Sequence, residues 1–462
     1  MLAWTLWVAL ALADDAGPSP LHEVEARGHA AVEAKPEVRP EPVVLAGGTV
    51  LTAAGHRYEP GWVALVEGRI RGVGEGEPPA IAGARVLDVT GHFVTPGLID
   101  AHSHLGVYPS PGANAHGDGN EATAPSTAGV WAEHSVWPQD PGFHRAIAGG
   151  VTALQILPGS ANLVGGRGFV AEVVPARGSR AMRFPGAPET VKMACGENPK
   201  RVYGNRNSAP STRMGNARAF RELFYEAQRA LEDWEAAAPP QEGRRRRKGG
   251  EGAEPPERDL DLETLVLLLR GEALAQVHCY RADDMLTILQ LADEVGFEVR
   301  SFHHAVEAYK IRDILAERGV ASSVWADWWG FKLEAYDGIL ENAALLDEAG
   351  VRAIIHSDSA IGIQRLNQEA AKAYHAGLAA GVDVSEDDAL GWITANPAWA
   401  LGIDHLTGTL EPGKRADVVV WDAHPFSVRA RARKVFVEGV LRYDLDRPQV
   451  WSDFELGREV PR

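Results

Sequence analysis

PGLIDAHSH, at residues 96–104, ends an apolar run with two histidines that are one residue apart. In a β-strand, residues i and i+2 point to the same face, so His102 and His104 should project together from the end of a predicted strand. Two imidazoles in this arrangement can bind one divalent metal ion. An isolated H-x-H pair is more typical of ordinary strand histidines, so the metal-site interpretation depends on the rest of the chain.

Three later segments repeat the pattern of an apolar run that ends in candidate metal ligands. They are LAQVH at 274–278, VRSFHH at 299–304 and AIIHSD at 353–358. Parallel α/β barrels place their active sites at the carboxyl ends of their strands. We therefore expect these polar side chains to converge at one end of such a barrel.

The central part of the chain, residues 96–400, predicts strands that alternate with helices. Such an alternation is typical of a parallel sheet, and eight units of it predict an α/β fold of the closed (β/α)8 TIM-barrel type. The predicted strands comprise the H-x-H strand and residues 150–157, 168–175, 189–194, 274–280, 298–304, 321–327 and 352–358.

Both ends of the globular part carry short β-type runs that glycines interrupt. Residues 43–95 and 401–445 together predict a small β-sandwich domain formed from both chain ends. Residues 14–42 are rich in Ala, Glu and Pro, which is typical of a disordered linker. A flexible insertion is predicted at about 237–258, and a tail at 446–462.

The N-terminal segment and the net charge of the chain indicate its cellular location and its binding partners. Residues 2–13 are apolar, uncharged and end in Ala-Leu-Ala, which indicates a signal peptide of residues 1–13 and an exported, periplasmic or extracellular protein. The segment is too short to span a bilayer, so no stable membrane insertion is expected. A net charge of −17 argues against a nucleic-acid partner. A homo-oligomer is compatible with these features.

The chain has two cysteines, Cys195 and Cys279, each beside a candidate site residue. They are predicted at the ends of adjacent strands, so a disulfide is geometrically allowed. The small number of cysteines favours buried free thiols instead.

The motifs taken together resemble those of a known family. PGLIDAHSH, the later strand-end histidines, HSD at 356–358 and GTLEPGKRAD at 408–417 are similar to motifs of the amidohydrolase superfamily, with the imidazolonepropionase-like metal-dependent hydrolases as the subgroup. The resemblance extends over about 43–444. It implies one or two divalent metal ions, and the imidazole and carboxylate ligands favour zinc.

The resemblance also implies roles for single residues. His102 and His104 would bind the first metal ion, and His278 and His304 the second. Asp358 would bind the first ion and transfer the proton as general base and then general acid.

The residue that bridges two ions stays open between two candidates. Relatives use a carboxylated lysine or a glutamate, and VKMACGENP at 191–199 offers Lys192 within the strand and Glu197 in the following loop. We slightly favour Glu197, because it is an anionic ligand without an adduct. His303, beside the ligand His304, would point into the barrel wall or towards the substrate.

Loops at the active-site face of such a barrel supply candidates for substrate contacts. One loop, LPGSANLVGGRG at 157–168, offers backbone amides and an arginine to an anionic substrate end, although a tight connection that needs glycine explains it equally well. Another, ADWWGFK at 326–332, offers aromatic side chains and a lysine. The predicted substrate-binding residues are Asn162, Arg167, Tyr203, His303, Trp328 and Lys332.

These features predict a metal-dependent hydrolase that cleaves an amide, cyclic amide or peptide-like C–N bond of a small molecule with metal-activated water. The alternatives are a deaminase of a heterocycle, an exported enzyme of the dipeptidase or prolidase type, and a non-catalytic metal-binding barrel. Export favours a dipeptidase-like or scavenging role over imidazolonepropionase activity. The substrate stays open.

Overall fold

A computed structural model describes residues 39–237 and 257–447 of the chain. The strands, in chain order, are β1 (Val43–Leu51), β2 (Arg57–Val66), β3 (Arg69–Glu75), β4 (Arg85–Asp88), β5 (Phe93–Pro96), β6 (Leu98–Ser103), β7 (Val151–Ile156), β8 (Val164–Arg167), β9 (Phe169–Glu172), β10 (Glu189–Ala194), β11 (Ala273–Cys279), β12 (Val299–His304), β13 (Ala321–Val324), β14 (Ala353–Ile355), β15 (Val418–Trp421), β16 (Ala432–Val437) and β17 (Val440–Asp444).

The helices lie mainly between the strands of the central part. The α-helices are α1 (Pro141–Ala148), α2 (Glu197–Gly204), α3 (Arg213–Ala237), α4 (Leu260–Leu269), α5 (Ala282–Val295), α6 (Arg312–Arg318), α7 (Asn342–Glu348), α8 (Leu366–Ala379), α9 (Glu386–Gly391) and α10 (Ala395–Ala400). Short 3-10 helices cover Asn114–His116, Ala132–Ser135, Ser179–Met182, Ala308–Ile311, Leu333–Ala335 and Gly362–Arg365.

Helix α5 shows how the sequence forms these elements. Met285, Ile288, Leu289 and Ala292 recur at helical spacing and are buried, so one face of the helix packs onto the sheet. Gly296 ends the helix with φ +88°, a left-handed conformation that glycine adopts without a steric penalty. The chain then enters β12, whose last residue is a predicted metal ligand.

Strands from both chain ends form one eight-stranded sheet. Its order is β17-β16-β15-β5-β1-β2-β3, with β4 beside β1. Strand β5 pairs in parallel with β1 and antiparallel with β15, where Val94 lies opposite Val420. The described residues show no clear β-sandwich, so that prediction is wrong. The two chain ends share a sheet because β5 joins them edge to edge through backbone hydrogen bonds.

The central part has a mixed α/β fold with two further sheets. One has six strands in the order β14-β13-β12-β11-β10-β8, and the other has three in the order β6-β7-β9. Strands β10 to β14 are parallel neighbours, and β6 is parallel to β7. The predicted alternation of strands and helices is present, and the predicted metal ligands lie on or just after β6, β10, β11, β12 and β14.

The described strands do not pair into the closed barrel that the sequence predicts. The predicted third strand, 168–175, is not a parallel strand, because β9 runs antiparallel to β7 and β8 runs antiparallel to β10. Gly168 separates β8 from β9, and a Cβ atom there would lie 2.4 Å from the Thr190 hydroxyl oxygen. On the other side, Ile99 and Ile355 donate backbone hydrogen bonds to the 392–393 segment rather than pairing β6 with β14.

Several predictions fall largely outside the described residues. The signal peptide, the linker up to residue 38, the insertion at 238–256 and the tail from 448 stay predictions, and α3 is helical as the sequence before the insertion indicates. Within 39–237 and 257–447, no helix combines the length and apolar character that crossing a membrane requires.

Candidate metal centre

The predicted metal ligands meet at the carboxyl ends of the central strands. His102 ends its apolar run within β6, and His104 follows two residues later on the same side. His304 ends β12, and His356 and Asp358 follow β14. Both His304 and Asp358 have positive φ angles, +71° and +46°. Non-glycine residues adopt this backbone conformation at a cost, and such sites are common where function requires it.

Two groups of three residues can each hold a metal ion, and they share His102. One consists of His102, His104 and Asp358, and the other of His102, His304 and His356, with the ligand atoms of each group within 4.8 Å of one another. Nε2 of His102 lies 3.4 Å from Nε2 of His104 and 3.8 Å from Oδ1 of Asp358. Nδ1 of His304 lies 3.1 Å from Nε2 of His356. Imidazole nitrogens and carboxylate oxygens are ligands of zinc and related divalent ions.

A hydrogen-bond chain assigns the protonated nitrogen of His102. His303 Nε2 donates to Gln276 Oε1 at 2.7 Å, so Nδ1 of a neutral His303 is an acceptor. Nδ1 of His102 lies 3.0 Å from that acceptor and therefore carries the proton. The lone pair of His102 is then on Nε2, the atom that faces the cluster. His303 is completely buried with both nitrogens engaged, so it lies in the wall, which is one of the two positions predicted for it.

His104 and His356 have the same arrangement through backbone carbonyls. Nδ1 of His104 donates to the Leu157 carbonyl at 2.8 Å, and Nδ1 of His356 donates to the Val324 carbonyl at 2.9 Å. Both rings therefore direct an Nε2 lone pair into the cluster. Histidines that bind metals commonly donate their other ring N–H to a carbonyl or similar acceptor, which fixes the ring orientation. These residues fit a metal site.

The structure separates the two candidates for the bridging ligand. The Lys192 side chain is buried, with Nζ 3.3 Å from Nε2 of His102. Glu197, the first residue of α2, has its carboxylate 3.5 Å from the ammonium of Lys332 instead. Gly196 sets this position with φ +73°, and a Cβ atom there would lie 2.7 Å from a Glu334 oxygen. The geometry thus brings Lys192, and not Glu197, against the histidine cluster.

His278 lies beside the cluster without belonging to either group of three. Its ring centroid is 4.6 Å from that of His304, and Nε2 accepts a hydrogen bond from the Asn198 side chain at 3.3 Å. Its Nδ1 is buried with no hydrogen-bond partner among the described residues. A buried polar atom without a partner is costly, so a ligand to this nitrogen would satisfy it.

The two cysteines form a disulfide between the ends of β10 and β11. Their Cα atoms are 5.2 Å apart, and Cys195 N donates to the His278 carbonyl at 2.9 Å. The preference for free thiols is therefore wrong. The parallel neighbours β10 and β11 hold both residues within the Cα separation that a disulfide requires. The disulfide thus joins the end of β10, the strand of Lys192, to the end of β11, the strand of His278.

Burial is the main cause of the shifted pKa values in the cluster. It lowers the pKa of His104 and of His356 to about 3. It also lowers the pKa of Lys192 and raises that of Asp358, and Lys192 partly opposes the rise at Asp358. The pKa values of His102, His278, His303 and His304 are lowered by the same cause. Neutral imidazoles are the forms that bind metal ions.

Two residues near the cluster had no role assigned from the sequence. Asp100 is completely buried and accepts hydrogen bonds from the backbone N–H groups of His102 and Ser357, at 3.2 and 3.1 Å. It therefore connects β6 to the loop after β14. His356 was quoted within AIIHSD but not assigned as a ligand, although it stands two residues before Asp358, the same spacing that identified His102 and His104.

Three predicted substrate-binding residues are buried in the structure and serve other contacts. Asn162 donates to the Thr127 hydroxyl, and the Tyr203 hydroxyl lies within hydrogen-bond distance of both Asn162 Oδ1 and the Ala124 carbonyl oxygen, which share its single proton. Arg167 donates to the Thr264 hydroxyl and lies over the Trp131 ring. These contacts hold loops together, so the described structure does not place Asn162, Arg167 or Tyr203 at a substrate surface.

The other two candidates lie at the cluster. Trp328 is 41% exposed and stacks on Trp325, which in turn stacks on the rings of His304 and His356. The Lys332 ammonium lies 3.5 Å from carboxylate oxygens of both Glu197 and Glu334, and 3.7 Å from the centroid of the Tyr280 ring, which stacks on His304. Residues of the segment that follows β13 thus lie near the cluster.

Comparisons with known proteins agree on one family. The model of the amidohydrolase family matches residues 271–442. A solved amidohydrolase from Thermotoga maritima MSB8 is 37% identical, and the match covers 87% of this chain and 100% of that one, with a TM-score of 0.78.

Two curated proteins are similar over shorter shares of their length. The amidohydrolase tasK of Hapsidospora irregularis is 35% identical over 367 residues, which is 75% of this chain and 36% of that protein. The imidazolonepropionase of Thermoplasma volcanium is 30% identical over 156 residues, 32% of this chain and 37% of that protein. The matched part of this chain thus spans little more than a third of either curated relative.

Proposed function

The chain belongs to the amidohydrolase family, and from this premise we propose that it hydrolyses a C–N bond of a small amide, cyclic amide or peptide-like substrate with a bound divalent metal ion. The observation that carries the proposal is the pair of ligand groups that share His102 at the strand ends. Similarity to proteins named amidohydrolase and imidazolonepropionase supports the same chemistry.

Each residue of the site has a part in this proposal. His102, His104 and Asp358 would hold one ion, and His304 and His356 would hold a second, because the single Nε2 lone pair of His102 serves one ion at a time. When bound, the ion supplies a Lewis acid that lowers the pKa of water and polarises the substrate carbonyl. Asp358, about a quarter exposed, accepts the proton of the attacking water and delivers it to the leaving nitrogen.

We also propose Lys192 as the residue that bridges two ions, as a carboxylated lysine, because its amine lies nearest the cluster. Zinc as the ion and a TIM-like arrangement of the two central sheets belong to the same proposal. They are supported by the imidazole-rich ligand set and by the likeness to the Thermotoga amidohydrolase.

The test combines metal analysis with a substrate panel of simple amides, lactams, dipeptides and amino-heterocycles. We expect one or two zinc equivalents per chain, and hydrolysis that a chelator abolishes and zinc restores. Asp358→Asn should lower kcat by at least about 100-fold, as expected for loss of an acid–base group. Asp313→Asn, an exposed control in α6, should leave it unchanged.

The outcomes distinguish the alternatives. Release of ammonia from an amino-heterocycle, without amide cleavage, would replace the proposed reaction with a deaminase. A metal-loaded protein that is inactive on the whole panel would favour the non-catalytic metal-binding barrel.

A further inference from the structure

A cleft opens directly beside the candidate metal centre. It is open to solvent, and its lining includes His304 from the cluster together with Trp325, Trp328 and Trp329 from the segment after β13. The indole rings therefore offer a stacking surface to one group of a substrate whose reacting bond lies at the cluster.

The walls of the cleft are largely aromatic and aliphatic, with a few polar groups. Val306, Val324 and Ile339 lie beside the three indole rings, and the Asn342 side-chain amide donates to the backbone carbonyls of Ala305 and Val306. The charged residue among them, Asp327, pairs with Lys372 at 2.8 Å. A cleft of this composition favours a flat hydrocarbon group over a carboxylate or an ammonium group.

The chain itself leaves these rings uncovered. Trp328 and Trp329 are 41% and 57% exposed, although large aromatic side chains usually bury most of their surface. Of the fifteen large apolar side chains that are exposed in the described residues, six lie in the segment 328–340. Concentrated apolar exposure next to a reactive site is typical of a ligand-binding surface.

One lining residue of the cleft, Trp325, also carries a hydrogen-bond donor without a partner among the described residues. Trp325 is 92% buried, and the donor is its indole Nε1–H. Because the same ring stacks on His304 and His356, a group that accepts this hydrogen bond would lie next to the cluster.

We propose that this cleft binds an aromatic group of the substrate, so that the preferred substrates are amides with a phenyl or indole ring close to the scissile C–N bond. The inference rests on the proposed hydrolysis and specifies its substrate class. It assigns Trp325, Trp328 and Trp329 as residues that determine specificity.

The test uses pairs of amides that differ only in the ring. N-benzylacetamide is compared with N-methylacetamide for a ring on the nitrogen side, and 3-phenylpropanamide with propanamide for a ring on the acyl side. Binding is measured by ligand-observed NMR on metal-free and metal-loaded protein, and kcat/KM is measured where turnover occurs. In at least one pair, the aromatic member should bind at least tenfold more tightly.

Variants connect the preference to the cleft. Trp328→Ala and Trp329→Ala should each reduce the aromatic preference at least fivefold, and their exposed positions make unfolding an unlikely cause; circular dichroism checks the fold. Leu333→Ala is the matched control, because Leu333 is 82% exposed in the same segment and does not line the cleft. It should keep the wild-type preference.

Two results would overturn the inference: equal binding of both members in both pairs, or a preference that survives both tryptophan substitutions. Failure of the hydrolysis proposal has a different signature, namely aromatic binding that depends on Trp328 and Trp329 without turnover of any amide. Turnover with no aromatic preference would refute the cleft assignment alone.

Discussion

In three histidines of the candidate metal centre, a hydrogen bond from Nδ1, the ring nitrogen that faces away from the centre, fixes the orientation of the ring. His102 donates to His303, and His104 and His356 donate to backbone carbonyls. These bonds fix the tautomer, so each Nε2 lone pair is available before any ion binds. The sequence predicted His102 and His104 from strand periodicity, but periodicity carries no information on the partner across the sheet.

The role of His303 can be tested by removing the acceptor for His102. His303→Ala leaves the His102 Nδ1–H without its partner, so the ring loses its fixed orientation and zinc affinity should fall by about 10–100-fold. Competition with a zinc-sensitive dye measures the affinity. His303→Gln, which offers an oxygen acceptor, should recover part of the loss, and the exposed His134→Ala should have no effect. Unchanged affinity in His303→Ala would contradict the assigned hydrogen bond.

A second substitution pair distinguishes Lys192 from Glu197. Lys192→Ala should lower zinc content and kcat/KM by at least about 100-fold, because it removes a group from the cluster itself. Glu197→Gln should keep kcat/KM within about fivefold, the effect of losing a weak, partly exposed ion pair. Elemental analysis and kinetics on both proteins measure this. The reverse order of effects would restore Glu197 as the bridging ligand.

Among the secondary-structure elements, the ends of β10 and β11 have a special role because a disulfide joins them. Cys195 and Cys279 are 84 residues apart in sequence, so the bond closes a long loop that includes α2, α3 and α4. It also holds the start of α2, whose Asn198 contacts His278. The small number of cysteines favoured free thiols, because amino-acid composition carries no information on which strands are neighbours.

We expect the disulfide to stabilise the fold measurably. Cys195→Ala together with Cys279→Ala should lower the free energy of unfolding by about 2–4 kcal/mol, because the unfolded chain regains the entropy that the closed loop removes. Urea denaturation followed by circular dichroism measures the change. Adding a reductant to the double variant is the control and should cause no further loss. Equal midpoints for variant and oxidised wild type would contradict the prediction.

In the region of β8 and β9, the sequence predicted a strand but not its true direction. The run 168–175 has the apolar composition of a parallel barrel strand, and the sequence assigned it that direction. In the structure β9 is antiparallel to β7, and β8 is antiparallel to β10. Only Gly168 separates β8 from β9 in the chain. Strand direction depends on chain connection in space, which local composition does not encode.

For the molecule as a whole, the buried histidines couple folding to pH. Burial lowers the pKa of His104 and of His356 from an ordinary 6.5 to about 3. At these two histidines the unfolded metal-free chain therefore binds protons below pH 6.5 that the folded chain does not, so their contribution to stability falls as the pH falls. The raised pKa values of the buried carboxyls Asp100 and Asp358 act in the opposite direction.

Each of these two histidines should reduce the free energy of unfolding by about 1.4 kcal/mol per pH unit between pH 6 and 4. Urea midpoints of metal-free protein across this range measure the slope. Replacing His356 by Gln should make the slope shallower, whereas His134→Gln, at an exposed site, should not change it. An unchanged slope in His356→Gln would contradict the assigned burial.

Strand periodicity and strand ends, which are local properties, predicted the mixed α/β fold and the convergence of His102, His104, His304 and Asp358, and the resemblance of motifs predicted the family. Packing in three dimensions determined what lies beside these residues: His356 near His304, Lys192 rather than Glu197 near His102, the disulfide and the burial of Arg167. Each depends on which segments become neighbours across hundreds of residues. That outcome follows from how the whole core excludes water and satisfies its buried polar groups, and no local pattern of residues contains it.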